Sequence, residues 1–516
     1  MMSASGAPVD AQRAIARRIL ANTAAPFAAN LVGRALSWVL AVVTARTLGP
    51  TGTGDYAVAV NVWVYAGILA DFGLGTWLTR EVARRRGELD ADPRCAGNPA
   101  LVGIVGETVG LRLGLSMVAA VTMVTLAATA HAAGWFSIDL AWTVVLLAVG
   151  LLPGAIAASA SSVFLAHERM GTPALLSVIG AGATTLVGAA ALLAGTGIVG
   201  LGATSLVITV VTAGALIVLA RRSGLPITVA WPHMHLISLL RDSVPLMLNN
   251  LLNSVFFRID VQVLGAWGRS TVGQYASAYK VVDGVGGISS SFILALFPML
   301  SRRAGAGGSP DAALGRVYAL ALTLLVIAAM PVAGLITWVA SPLSGLLWGP
   351  AFLPESAIAL QILIWFLPLS FVNGLTQYVL IALGLQARIT VAFAVAAMFN
   401  LTANLILVPT YGYVAAASTT IATEVVLLVP FARAISARMA ILPLVIACAR
   451  PLPAAVVTAG VLLAGGTVGD WVAVIGASMT YPLALWATRA LAHEDLTLLL
   501  SVLRTNRFAV RQSRCG

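Results

Sequence analysis

Charge is what this chain most conspicuously lacks. Of its 516 residues only 9% are Asp, Glu, Lys or Arg, where a soluble domain carries about 25%. Lysine is nearly absent: Lys280 stands alone against 29 arginines. There are five histidines and three cysteines, Cys95, Cys448 and Cys515. The cysteines are too few and too far apart for a disulfide framework or a metal cluster. No Walker loop, no G-x-S-x-G and no H-E-x-x-H occurs. These absences argue against a soluble enzyme and give no reason to expect a metal or cofactor.

Apolar residues fill the space left, at 59% of the chain with a mean hydropathy of +0.95. Apolar runs of about 20 residues recur throughout, long enough to cross roughly 30 Å of hydrocarbon as helix. Fourteen such runs can be drawn, from about 22–45 to about 469–489. The first is too long for a signal-peptide core and is read as a retained span behind Arg13, Arg17 and Arg18.

The chain also repeats itself. Gly54-Asp55-Tyr56-Ala57-Val58-Ala59 returns as Gly273-Gln274-Tyr275-Ala276-Ser277-Ala278, 219 positions on. The segment starting at Gly197 returns at Gly412, offset by 215. Two agreeing offsets imply a duplicated six-span unit, and an even span number makes the copies parallel. The expected fold is an all-α polytopic membrane protein: 14 transmembrane helices in two parallel six-helix lobes, plus two C-terminal helices. The expected divisions are 1–222, 223–438, 439–490 and a basic tail at 491–516.

In this scheme 24 of the 30 basic residues fall on one side, and Arg46 and Arg269 on the other. By the positive-inside rule both termini are then cytoplasmic, in a multi-pass membrane protein. The net charge of +11 is mostly topology, scattered over many segments, and offers no nucleic-acid surface. The three cysteines fall on the cytoplasmic side, where no disulfide is expected. The outer loops, the longest at about 341–355, leave no room for a catalytic domain.

Four basic residues remain inside spans: Arg34, Arg112, Arg258 and Lys280. A charge at mid-bilayer costs on the order of 3 kcal/mol, so such groups face a cavity or a partner. In the seventh span (about 241–266), Asn249, Asn253 and Asp260 share one face, and Asn250 and Arg258 another. Arg258 and Asp260 lie about 200° apart around the axis, so each needs a partner elsewhere. The eighth span carries Tyr275, Tyr279, Lys280 and Asp283, the last two spaced to pair. The first span carries Asn30, Arg34 and Ser37 as one stripe; the repeat offset places Asn30 on Asn249 and Arg34 on Asn253. Arg112 is read as a structural pair with Glu107 in the third span. Asp71 and Glu424 are candidate coupling sites or counter-ions.

Several stretches resemble one family. They are Ala45-Arg46-Thr47-Leu48-Gly49-Pro50, Gly54-Asp55-Tyr56-Ala57, Asp71-Phe72-Gly73-Leu74-Gly75 and Thr79-Arg80-Glu81, with Pro245, Arg258-Ile259-Asp260, Val272-Gly273-Gln274-Tyr275, Ala278-Tyr279-Lys280, Phe297-Pro298 and Asn404 to Gly412. In order, over about residues 20–490, these are similar to the bacterial polysaccharide flippases of the multidrug/oligosaccharidyl-lipid/polysaccharide superfamily. The resemblance implies a central cavity lined by spans 1, 2, 7 and 8, and alternating access. The implied cargo is a polyprenyl-diphosphate-linked sugar, moved to the outer leaflet for surface polysaccharide biosynthesis. A polysaccharide polymerase and chain-length machinery are its implied partners beside the lipid bilayer. Arg34, Arg258 and Lys280 suit a diphosphate. Asn30, Asn249, Asn250 and Asn253 suit sugar hydroxyls, and Tyr275 and Tyr279 a sugar ring or prenyl chain. The rival readings are an ion-coupled multidrug or small-solute exporter of the same superfamily, which calls for an acidic cavity, and a polytopic glycosyltransferase or polymerase, which calls for a large outer loop.

Overall fold

The computed structural model describes residues 9–91, 99–225, 227–231, 236–304, 312–466, 469–488 and 490. The tail 491–516, Arg94, Cys95, Arg489 and Cys515 lie outside these residues, as do the side chains of Arg13, Arg17, Arg18, Arg86 and Pro298. Among the described residues the regular structure is helical, with no strand. That is what lipid demands of backbone amides that find no water.

The helices are α1 (Val9–Asp71), α2 (Leu74–Ala91), α3 (Pro99–Ala132), α4 (Ile138–Ala166), α5 (Gly171–Leu193), α6 (Gly197–Arg222), α7 (Leu236–Gly265) and α8 (Arg269–Ala304). After them come α9 (Ala312–Trp348), a short 3-10 turn at Pro350–Phe352, α10 (Glu355–Leu363), α11 (Phe366–Ala382), α12 (Gln386–Ser436), α13 (Leu442–Ala449), α14 (Leu452–Gly465) and α15 (Asp470–Ala487). Most of the stretch read as the longest outer loop is the end of α9. Among the described residues, nine helices are long and apolar enough to cross a membrane. The count of fourteen stays an expectation of the sequence. α7 is not among the nine, because its polar side chains dilute the apolar run.

Two elements are helix pairs joined at a kink. α1 breaks at Gly49 (φ 66°, ψ −172°) and α12 at Gly412 (φ 57°, ψ −135°). Left-handed backbone is costly for any residue with a Cβ, so glycine sits at each break. The duplication is visible here. Gly49 and its repeat equivalent Gly268 both have positive φ, and so do Gly197 and Gly412.

The described residues fall into two compact units. One runs to Ser277 and includes Leu347–Ala351; the other takes Ala278–Leu346 and the chain from Phe352. α7 and the start of α8 thus group with the first unit. These units are groupings by contact, whereas 1–222 and 223–438 are groupings by repeated sequence. In the first unit α1, α3 and α4 meet over a largely alanine core, including Ala59, Ala66, Ala120 and Ala148. Small side chains let helices approach closely where no hydrophobic effect drives them together. A second core joins Leu78, Val105, Phe164 and Leu239 from α2, α3, α4 and α7. Leu347 is held there by Arg46, whose Nε donates to its carbonyl at 3.2 Å, and Trp348 packs on Trp38. In the second unit α14 and α15 form a hairpin against α9. The Tyr481 hydroxyl donates to the Ile327 carbonyl at 2.9 Å, and Trp338 fills the space that a side chain at Gly466 would take.

The kink at Gly412 sets a test. A Cβ there would meet nothing within 4 Å, so Gly412→Ala isolates the backbone term. It is expected to cost about 1–2 kcal/mol, read as a lowered Tm in detergent. Gly334→Ala in α9, also in open space but without a positive φ, should leave Tm unchanged or slightly raised.

Candidate functional site

The candidate residues on α7 divide as their spacing requires. Asn249, Asn250, Asn253 and Arg258 are exposed, while Asp260 is buried. Arg258 and Asp260 each find a partner on another helix. Arg258 Nη1 donates to Oδ1 of Asn61 on α1, at 3.3 Å. Asp260 accepts from the Tyr275 hydroxyl of α8 through Oδ2, and from the Val261 amide at 2.8 Å through Oδ1. Tyr275 is fully enclosed. Its ring offers no stacking face in this conformation; it braces α7 against α8.

On α1, Asn30 and Arg34 share a stripe and touch, Arg34 Nε donating to Asn30 Oδ1 at 3.0 Å. Both are exposed. Amides therefore hold both guanidiniums in the contacts described, Asn30 for Arg34 and Asn61 for Arg258. Asn61 was not singled out in the sequence. One turn further along α1, the Tyr65 hydroxyl reaches the Ser254 carbonyl of α7 at 3.4 Å.

Tyr279, Lys280 and Asp283 lie further along α8, in the second unit. Tyr279 and Lys280 are half-buried and Asp283 is exposed. Glu424 of α12 is buried against α11. Asn373 Nδ2 donates to its Oε2 at 2.5 Å and to its backbone carbonyl at 2.8 Å.

Asp71 ends α1, just before the left-handed Phe72 and Gly73. Its carboxylate pairs with Arg112 of α3, whose other arm reaches Ser159 of α4 at 3.4 Å. Of the two roles open for Asp71, counter-ion is the one the geometry displays. Arg112 takes this partner over Glu107. Five residues along a helix rotate a side chain about 140° out of line, whereas the end of α1 points straight at it. The pair borders a cavity of about 190 Å³, also lined by Trp63, Gly67, Ser116 and Thr209.

The described residues form a helical membrane protein in which two of the elements are helix pairs joined at a kink. Residues 19–303 match the family described as polysaccharide biosynthesis protein, and residues 245–406 match MatE. The first match spans more than half of the chain, and the chain belongs to the polysaccharide biosynthesis protein family. Comparison with the curated proteins found no match. Among solved structures, the chain resembles the lipid II flippase MurJ in its inward closed conformation. The TM-score is 0.69 at 12% identity, covering 89% of this chain and 99% of that one. A multidrug resistance MATE family transporter of the MOP superfamily is similar in its inward-facing conformation (TM-score 0.58, 17% identity, 78% and 93% covered). An outward-facing structure of such a transporter gives 0.52 at 16% identity, covering 81% and 95%. These likenesses show the fold, and the chain is a multi-pass membrane protein.

Two buried pairs yield predictions. Arg112→Ala should cost about 3 kcal/mol or more, because it strands Asp71; Asp71→Ala/Arg112→Ala should be no worse than the single change. A double-mutant cycle on Tm reads the coupling. Tyr275→Phe removes one donor from buried Asp260 and should cost about 1–3 kcal/mol, with Tyr279→Phe as the milder comparison.

Proposed function

We infer that this protein flips a polyprenyl-diphosphate-linked oligosaccharide from the cytoplasmic to the outer leaflet of the bacterial plasma membrane, for surface polysaccharide biosynthesis. The observation that carries this is Arg258. It is an exposed guanidinium on α7, held by a neutral amide at 3.3 Å. A phosphate oxygen outcompetes an amide for a guanidinium, since charge-assisted bonds are about twice as strong as neutral ones. Arg34, beside Asn30, repeats the arrangement on α1. Lys280 supplies a point charge on α8. Asn249, Asn250 and Asn253 would bind sugar hydroxyls, and Tyr279 a sugar ring or prenyl carbon. Asp260 and Tyr275 would fix the α7–α8 hairpin that carries these groups; Asp71, Asp283 and Glu424 would balance charge or couple an ion.

Membership in the polysaccharide biosynthesis family and the fold shared with a lipid II flippase support a lipid-linked cargo. Two lobes, 1–222 and 223–438, would alternate access, with both termini in the cytoplasm. A polymerase and chain-length machinery would take the product onward. The fold is also that of multidrug transporters, and a cationic drug is the second reading. Exposed arginines repel such a cargo, so the anionic lipid is preferred.

Leaflet-resolved quantification of the lipid-linked oligosaccharide in a deletion strain tests the reading. The lipid should accumulate on the cytoplasmic leaflet and be relieved by a plasmid copy. Arg258→Ala should abolish that relief while the protein still accumulates in the membrane, and Arg258→Lys should restore part of it. Full relief by Arg258→Ala would remove Arg258 from the site. Absence of accumulation in the deletion strain would favour the drug-exporter reading.

A further inference from the structure

Inside the first unit, the chain between α6 and α7 lies along a track of glycines on α3. α6 ends at Arg222 and α7 begins at Leu236, and residues 227–231 between them carry no regular structure. Gly106, Gly110 and Gly114 are spaced by four, so they share one face of α3. A Cβ on Gly106 would lie 2.8 Å from the Thr228 hydroxyl and 3.1 Å from the Ala230 Cβ. One on Gly110 would lie 2.0 Å from the Ala230 carbonyl oxygen, and one on Gly114 would lie 3.4 Å from the Trp231 ring. Gly103 stands on the same face nearer the start of α3, and a Cβ there would meet nothing within 4 Å. The track is thus covered where residues 228–231 reach it, and open before.

Two hydrogen bonds fasten this strap to the helix. The Ala230 amide donates to the Gly106 carbonyl at 2.9 Å, and the Thr228 hydroxyl donates to the Val102 carbonyl at 3.1 Å. Leu225 is buried in the core that it shares with Val105 of α3, Leu216 of α6 and Leu239 of α7, and Ile227 packs against the same core. Glycine is a poor helix former, so three on one face weaken α3. What they permit is backbone lying directly on backbone at Gly110. From Gly106 to Gly114 the helix rises about 12 Å. The strap covers that rise between Thr228 and Trp231, in steps of at most about 3.6 Å per residue. It is therefore near full extension and holds no slack.

Chain length decides what this contact does. Left free, the chain from Arg222 to Leu236 would reach about 50 Å, too far to restrain anything. Held as far as Trp231, it leaves at most about 18 Å of chain before α7 starts.

We propose that the strap is a stop: seated on the glycine track, it sets how far the start of α7 swings from α3 as the protein transports. The stop rests on the transport reading only in supposing that α7 moves, and the cargo does not enter.

The test uses the full chain in nanodiscs, with Cys95, Cys448 and Cys515 replaced by serine. Spin labels on Val118→Cys of α3 and Ile237→Cys of α7, both exposed positions, report the distribution of distances between the two helices. Gly110→Leu should unseat the strap and move the long edge of that distribution outward by on the order of 10 Å, because about 30 Å of further chain is released. Gly103→Leu, on the same face but in open space, should match the parent. Inserting about six Gly/Ser residues after Pro232 lengthens the tether without touching the track, and should also move the long edge outward by on the order of 10 Å. An unchanged long edge in either the Gly110→Leu or the insertion chain, or an equal shift in Gly103→Leu, would overturn the proposal. If Gly110→Leu does not accumulate, the insertion decides alone. The distances are read without any cargo, so failure here stands apart from failure of the oligosaccharide reading.

Discussion

The hydrocarbon core supplies no water to a broken hydrogen bond, and this constraint shapes the whole chain. A helix can be interrupted there only where the freed backbone finds a substitute or where the break is very short. Gly49 and Gly412 lie between successive crossings, and each one-residue break lets the chain turn from one crossing into the next. Their equivalents in the other copy, Gly268 and Gly197, also have positive φ. The duplication is therefore preserved at the level of backbone torsion, where sequence similarity between copies is thin. Close approach follows from the same economy. Helices in lipid gain from van der Waals contact more than from burial, and the alanine core around Ala59 and Ala120 meets that need.

The charged residues divide into two kinds by partner. Arg112 is opposed by a carboxylate, Asp71, which neutralises it and ties α3 to the end of α1. Arg258 and Arg34 are touched by asparagines, which orient a guanidinium without cancelling its charge. The buried acids follow the same logic in reverse, Asp260 with a phenol and Glu424 with an amide. Partner chemistry separates the structural charge from the available one more sharply than depth in the membrane does.

Much of this was legible in the sequence. The helical class followed from run length, and the polar stripes on α1 and α7 from spacings of three and four. The need of Arg258 and Asp260 for separate partners followed from their two-residue separation. What stayed hidden was the identity of those partners. Asn61 sits in an ordinary apolar run, and nothing local says that it meets α7. Arg112 was assigned to Glu107 because sequence proximity stands in for spatial proximity, until the end of α1 turns out to aim Asp71 at it. Tyr275 read as a cargo surface because aromatic residues in polar helices often are one; its burial depends on how tightly the adjacent Gly273 draws α8 in.

The solitary lysine has a chemical consequence. Arginine does not react with ordinary acylating reagents, so in a chain with 29 arginines the ε-amine of Lys280 is the one side-chain primary amine. It sits half-buried on α8, a little over one helical turn beyond Tyr275. The helix thus carries one chemically distinct site, at which an amine-directed fluorophore or isotope label introduces no foreign residue.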